Sequence, residues 1–218
     1  MCIKMFSKKY FLSLFVTVVL SLCMPGKIKA SESQFLYVIN SNAVVGYEAV
    51  KNGRLKPITG SPFPAGTGPS AIIIHPTGKF AYVANKKSHN IAGYKITNSG
   101  VLMPFRGHHF PAGTTPMAMA IDSAGQYLYV LNIDSQNISA FHIDPHSGSL
   151  KQVKGSPFGA GSKPTRIAIN GRFLYALNSG SNNISVFYIQ ESGALQGNKD
   201  DAVATGTDPA ELVFAGIK

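Results

Sequence analysis

The chain has 218 residues, a formal net charge of +10 and two cysteines, a length that suits one domain with a tail. Five of its lysines (Lys4, Lys8, Lys9, Lys27, Lys29) and both cysteines (Cys2, Cys23) fall in the first thirty residues, where there is no acid. The rest carries only +5, scattered along the chain, which excludes the massed basic face of a nucleic-acid binder.

In chain order, the first element is a targeting segment. Lys4, Lys8 and Lys9 precede an apolar run from Tyr10 to Met24, and Pro25, Gly26 and a short polar stretch lead to Ala30. A charged start, a short apolar stretch and a small exit residue are the parts of a secretory signal. Cleavage is expected after Ala30, although Ile28 is larger than such sites prefer. Leu22 before Cys23 argues against a lipoprotein cut. The run is about 15 residues, short of the 18 or more of a spanning helix; an uncleaved anchor is the alternative. The expected division is a signal peptide at 1–30 and one domain at 31–218, secreted or periplasmic, with no membrane span after cleavage and no disulfide.

From there the chain repeats. Phe35 to Asn40 reads FLYVIN, Phe80 to Asn85 FAYVAN, Tyr127 to Asn132 YLYVLN and Phe173 to Asn178 FLYALN. Tyr37, Tyr82, Tyr129 and Tyr175 are 45, 47 and 46 residues apart. A turn and a second apolar run follow each (VVGYEAV, NIAGYKI, NISAFHI, NISVFYI), then a Gly-containing turn into a third run. A Pro-rich or Gly-rich corner closes the unit, with Phe63, Phe110 and Phe158 in equivalent places and only Val203 near the fourth. The run after each corner proline is apolar, with small residues at Ala71, Ala118, Ala120 and Ala168, as suits a strand buried on both faces.

Four short β-type runs per unit, at a period of about 46 residues and without helical periodicity, predict an all-β propeller of four four-stranded blades. The corner phenylalanines are expected to wedge between blades. The repeat opens on the Tyr-containing strand and finishes on a first strand, Ala210 to Ile217. That phase predicts a ring closed by pairing the N-terminal and C-terminal strands in one sheet, which would leave no exposed edge.

The segments [FY]-x-Y-V-x-N, N-I-x-x-[YF]-x-I and P-x-x-I-x-I-x-P-x-G, clearest in Pro69 to Ile96, resemble the YVTN-type repeats of the lactonase family, which includes 6-phosphogluconolactonase. The resemblance covers residues 35–218 and implies a propeller fold. It also implies a catalytic blade with Gly-Pro-Arg-His opening the first strand and Glu after the Asn of the Tyr-containing strand. The matching places here hold Ser70, Ala71 and Lys86; Met117, Ala118 and Ile133; Thr165, Arg166 and Ser179; and Ala210, Glu211 and Ser41. No blade carries the family set, and Arg166 sits one place later than the family Arg.

The candidate ligand face is therefore the mouth where strand starts and turns gather, with Lys86, Arg166, Ser179 and Glu211 as ligand-binding candidates. Lys87, His89, Asp134 and Ser135 complete its polar groups; Arg166, Glu211 and Asp134 are the candidates for any residual catalysis. Arg166 and Glu211 could also simply pair with each other, and turn geometry alone favours Asn, Ser and Asp at such places. His108-His109 lacks further ligands, so no metal and no cofactor are expected. His75, where other repeats have Asp122 and Asn170, is expected to cap a turn. Asn137-Ile-Ser139 and Asn183-Ile-Ser185 match a glycosylation sequon but recur at one repeat position, which strand design explains. The expected function is a lactonase-like binding module for a small carboxylate or sugar ligand or a protein partner, as monomer or homodimer. The alternative is a sugar-lactone hydrolase.

Overall fold

The computed structural model describes residues 33–197 and 202–215; the leader at 1–30 lies outside the described residues. The first blade holds β1 (Gln34–Ile39), β2 (Ala43–Ala49), β3 (Leu55–Pro57) and β4 (Phe63–Pro64). The second holds β5 (Pro69–Ile74), β6 (Phe80–Asn85), β7 (Asn90–Ile96) and β8 (Leu102–Pro111). The third holds β9 (Pro116–Ile121), β10 (Tyr127–Asn132), β11 (Asn137–Ile143), β12 (Leu150–Gln152) and β13 (Phe158–Gly159). The fourth holds β14 (Pro164–Asn170), β15 (Phe173–Asn178), β16 (Asn183–Ile189), β17 (Leu195–Gly197) and β18 (Val203–Ala204). Each sheet is antiparallel and paired in chain order, so the four-bladed all-β expectation holds.

The outermost strand is split in three blades, where β3 and β4, β12 and β13, or β17 and β18 pair with the same neighbour. Two of the gaps fall at Gly-Ser-Pro corners, where Pro62 and Pro157 have no N–H for a ladder. The preceding serines bridge the break: Gly46 N donates to Ser61 Oγ at 3.0 Å and Ala140 N to Ser156 Oγ at 2.9 Å.

Alternation along the Tyr-containing strands sends successive side chains to opposite neighbours. Tyr37 and Ile39 join Ile72, Val83 and Tyr94 in one core; Phe80 and Tyr82 join Leu128, Val130 and Phe141 in a second. Tyr129 and Leu131 join Leu174, Ala176 and Phe187 in a third. Each core lies between successive blades. Phe63 is buried in the first, and Phe110 and Phe158 pack against the other two, so the corner aromatics do wedge between blades.

A hydrogen bond recurs at each of these interfaces. Tyr37 donates to the Gly100 carbonyl at 2.7 Å, Tyr82 to Gly148 at 2.7 Å and Tyr129 to Gly193 at 3.0 Å. Burial pushes the Tyr37 hydroxyl up to about 12, and burial with the nearby Asp144 raises Tyr82 further. A phenol whose folded pKa is raised contributes stability below its unfolded value of 10, lost as pH rises toward the folded one. We expect cooperative alkaline unfolding above pH 10, with tyrosinate absorbance appearing together with loss of β circular dichroism. Smooth titration of these phenols in a folded protein would contradict the latch.

Closure differs from the expectation. Residues 210–215 form no strand, and β1 pairs with β2 alone among the described residues. The terminal segment instead follows the fourth blade: Phe214 stacks edge-on against Tyr175 with ring centroids 5.0 Å apart. Three inter-blade cores hold the four sheets side by side in chain order. The segment therefore lies against the fourth blade, where the inner strand of a following blade would start.

Candidate mouth site

The mouth is built from two backbone features per repeat. Asn85, Asn132 and Asn178, all fully buried, donate to the side chains of Asn90, Asn137 and Asn183 at 2.8–2.9 Å. Ser88, Ser135 and Ser181 donate to the same three acceptors, so each hairpin tip is braced from inside. This accounts for the repeated Asn of the sequon positions. The residue after each buried Asn then meets the corner of its own blade: Lys86 N donates to Gly68 O, Ile133 N to Thr115 O and Ser179 N to Lys163 O.

Gly68, Thr115, Lys163 and Asp208 each precede a proline, and all have positive φ, at 66°, 57°, 45° and 52°. Residues before proline ordinarily stay extended, and the left-handed region costs a non-glycine residue roughly 1–2 kcal/mol. The hairpin bonds hold the chain there. Just beyond, Ser70, Met117 and Thr165 sit at register irregularities in β5, β9 and β14 or at the bond skipped beside them. Such bulges re-aim side chains at sheet rims.

Of the sequence candidates, the structure brings Arg166 and Glu211 together. Arg166 Nε donates to Glu211 Oε2 at 3.0 Å, and Arg166 Nη1 donates to the Thr165 carbonyl at 3.0 Å. The two side chains keep 41% and 67% of their surface exposed, so the pair itself adds little to stability. The Leu212 backbone N–H, and then the Arg166 guanidinium, hold the Glu211 carboxyl below the ordinary range. A depressed carboxylate stays charged at neutral pH, and the pairing fades only as pH falls through that lowered value.

The other candidates do not converge on this pair, and His89 instead accepts from the Thr115 N–H of the third blade at 3.0 Å. Asp134 Oδ2 accepts from the Thr115 hydroxyl, and Ser179 Oγ donates to the Lys163 carbonyl at 3.1 Å. Ser70 is buried and donates to the Pro116 carbonyl at 2.6 Å, which ties the second blade to the third. Lys86 reaches neither Arg166 nor Glu211 through any hydrogen bond or ion pair among the described residues. Sequence reading missed Thr115 and Lys163 as mouth residues; the proline after each was the available signal. His75 caps its turn through Thr77, as expected, and also meets the Gly125 carbonyl of the third blade at 2.8 Å. His108 and His109 stack with centroids 4.0 Å apart, and burial, then His108, lowers the His109 pKa. Among the described residues no three potential metal ligands gather.

The profile of the lactonase family, described as a seven-bladed β-propeller, matches residues 28–163. The chain belongs to that lactonase family. Solved structures place this lactonase-family chain among whole propellers. A candidate 6-phosphogluconolactonase from Bacteroides uniformis superposes with a TM-score of 0.71 at 22% identity, over 78% of this chain and 52% of that one. The periplasmic gluconolactonase of Pseudomonas aeruginosa gives 0.70 at 26% identity, over 85% of this chain and 55% of that one. The lactonase-family chain thus spans about half the length of these structures. No match was found among curated proteins. No helix among the described residues is long and apolar enough to cross a membrane.

Proposed function

We propose that this lactonase-family propeller is an exported binding module whose mouth takes a small carboxylate, such as a sugar acid or its lactone, beside Arg166. The observation that carries the reading is the Arg166–Glu211 pair. It is a guanidinium already holding a carboxylate at 3.0 Å on an exposed rim, the geometry a ligand carboxylate would adopt. Catalysis is disfavoured by what stands around it. Where the family resemblance calls for Glu after the strand Asn, the chain has Ser41, Lys86, Ile133 and Ser179. Glu211, already hydrogen-bonded and held ionised, is a weak proton acceptor. Export is supported by the leader pattern and by the periplasmic location in the name of the Pseudomonas relative.

The test is calorimetric titration with a panel of sugar lactones and sugar acids, alongside a hydrolysis assay. Binding without turnover is expected. Glu211→Gln should tighten carboxylate binding several-fold by releasing Arg166, and Arg166→Ala should remove it. Lactone hydrolysis abolished by Arg166→Ala in a folded protein would replace this reading with the hydrolase one. Indifference to every compound would point to a protein partner instead.

A further inference from the structure

Among the described residues the inter-blade latch has three complete copies and two unpaired halves. In each complete copy, the tyrosine of one blade donates to a turn glycine of the next, Gly100, Gly148 or Gly193. The residue two places before that tyrosine covers the same glycine. A Cβ built on Gly100 would lie 2.4 Å from the Phe35 ring, on Gly148 2.7 Å from Phe80, and on Gly193 2.2 Å from Tyr127.

The fourth pair, Phe173 and Tyr175, has no following glycine among the described residues. Phe173 is 45% exposed where its repeat equivalent Phe80 is 3% exposed, and the Tyr175 hydroxyl has no hydrogen-bond partner among the described residues. At the other end stands a fourth glycine of the same kind. Gly53 has φ 71°, against 77°, 73° and 78° for the other three. Its turn closes with Val50 N donating to Arg54 O, as Thr97 N does to Val101 O. Nothing lies within 4 Å of a Cβ built on Gly53. An open cleft of about 530 Å³, lined by Val50, Leu55 and Pro57 among others, surrounds it.

We propose that two copies of this chain join head to tail, Phe173 and Tyr175 of one seating on the Gly53 turn of the other. Reciprocal contacts give a ring of eight blades with twofold symmetry, within the four-to-eight range of propellers. The case for a second copy as occupant is that, among the described residues, donor and acceptor of one repeating latch stand unpaired on the fourth and first blades of a single chain. Most exposed large apolar side chains lie at the two end blades, Met103 of the second blade being an exception. Val50 and Leu55 flank the glycine, and Phe173, Tyr188, Val213 and Phe214 lie with the tyrosine.

Sedimentation equilibrium of the purified chain tests this directly. A concentration-dependent dimer is expected. Tyr175→Phe should weaken it about tenfold, the cost of one lost hydrogen bond at each contact. Phe173→Asp should weaken it roughly a hundredfold or more, as for a central aromatic anchor. Gly53→Ala should weaken it too, whereas Tyr37→Phe, in a latch already closed within the chain, should leave it unchanged. Circular dichroism melts of Phe173→Asp check that an exposed substitution leaves the fold intact. Mixing Phe173→Asp with Gly53→Ala restores one undamaged contact and should recover association. A monomer throughout the concentration range, a dimer indifferent to all three edge variants, or open-ended oligomers would overturn the proposal.

Discussion

Tyr82→Ala is expected to lower folding stability by about 4 kcal/mol, the cost of emptying a large aromatic site in a packed core. Tyr82 has no exposed surface, sits in the core between the second and third blades and packs edge-on against Phe105. Its hydroxyl donates to the Gly148 carbonyl at 2.7 Å across the blade boundary. The alanine variant therefore removes apolar contacts on one side and leaves a carbonyl without its donor on the other. Tyr82→Phe separates the two losses. It keeps the ring and deletes the hydroxyl, and should cost about 1–3 kcal/mol, the range for an orphaned buried polar group. Equilibrium urea denaturation of both variants checks the pair. If Tyr82→Phe were neutral, the hydroxyl would contribute no inter-blade stability, and the latch would be packing alone.

The same comparison explains what the sequence could and could not tell. Strand order and pairing were legible because the Tyr, Asn and Gly of each repeat have separate structural duties. Tyr82 latches the next blade, Asn85 braces its hairpin and Gly148 receives the latch. Closure was not legible. Phe173 and Phe80 are equivalent in sequence, and only the presence of a neighbouring blade decides that one is exposed and the other buried. Phase counts strands, whereas the wedge between blades depends on side chains meeting across three separate cores. The Arg166–Glu211 pair was legible because the two residues occupy nearly the same repeat phase one blade apart. Lys86, Asp134 and Ser179 share that face in sequence terms, yet each is held by its own corner and does not converge on Arg166. The positive φ of Thr115 and Lys163 was hidden, since only Gly68 among the equivalent residues announces it by type.

Gly148→Ala should destabilise by about 2–5 kcal/mol, through two independent causes that Gly53→Ala separates. Both glycines have left-handed backbones, with φ of 73° and 71°, so both alanine variants carry the left-handed strain of roughly 1–2 kcal/mol. The surroundings differ. A Cβ on Gly148 would lie 2.6 Å from Phe105 and 2.7 Å from Phe80, whose ring is 97% buried and cannot swing into solvent. Overpacking of that kind costs about a further 1–3 kcal/mol, and it would also displace the carbonyl that receives Tyr82. At Gly53 the same Cβ meets nothing, so in the isolated chain only the backbone strain remains. Thermal melts at protein concentrations below association should show the Gly148 variant losing clearly more stability than the Gly53 variant. Equal losses would mean that the turn conformation, and not the aromatic seat against the neighbouring blade, sets the need for glycine. A gap that narrows as concentration rises would show Gly53→Ala becoming costly once a second copy's Phe173 is present to occupy the seat.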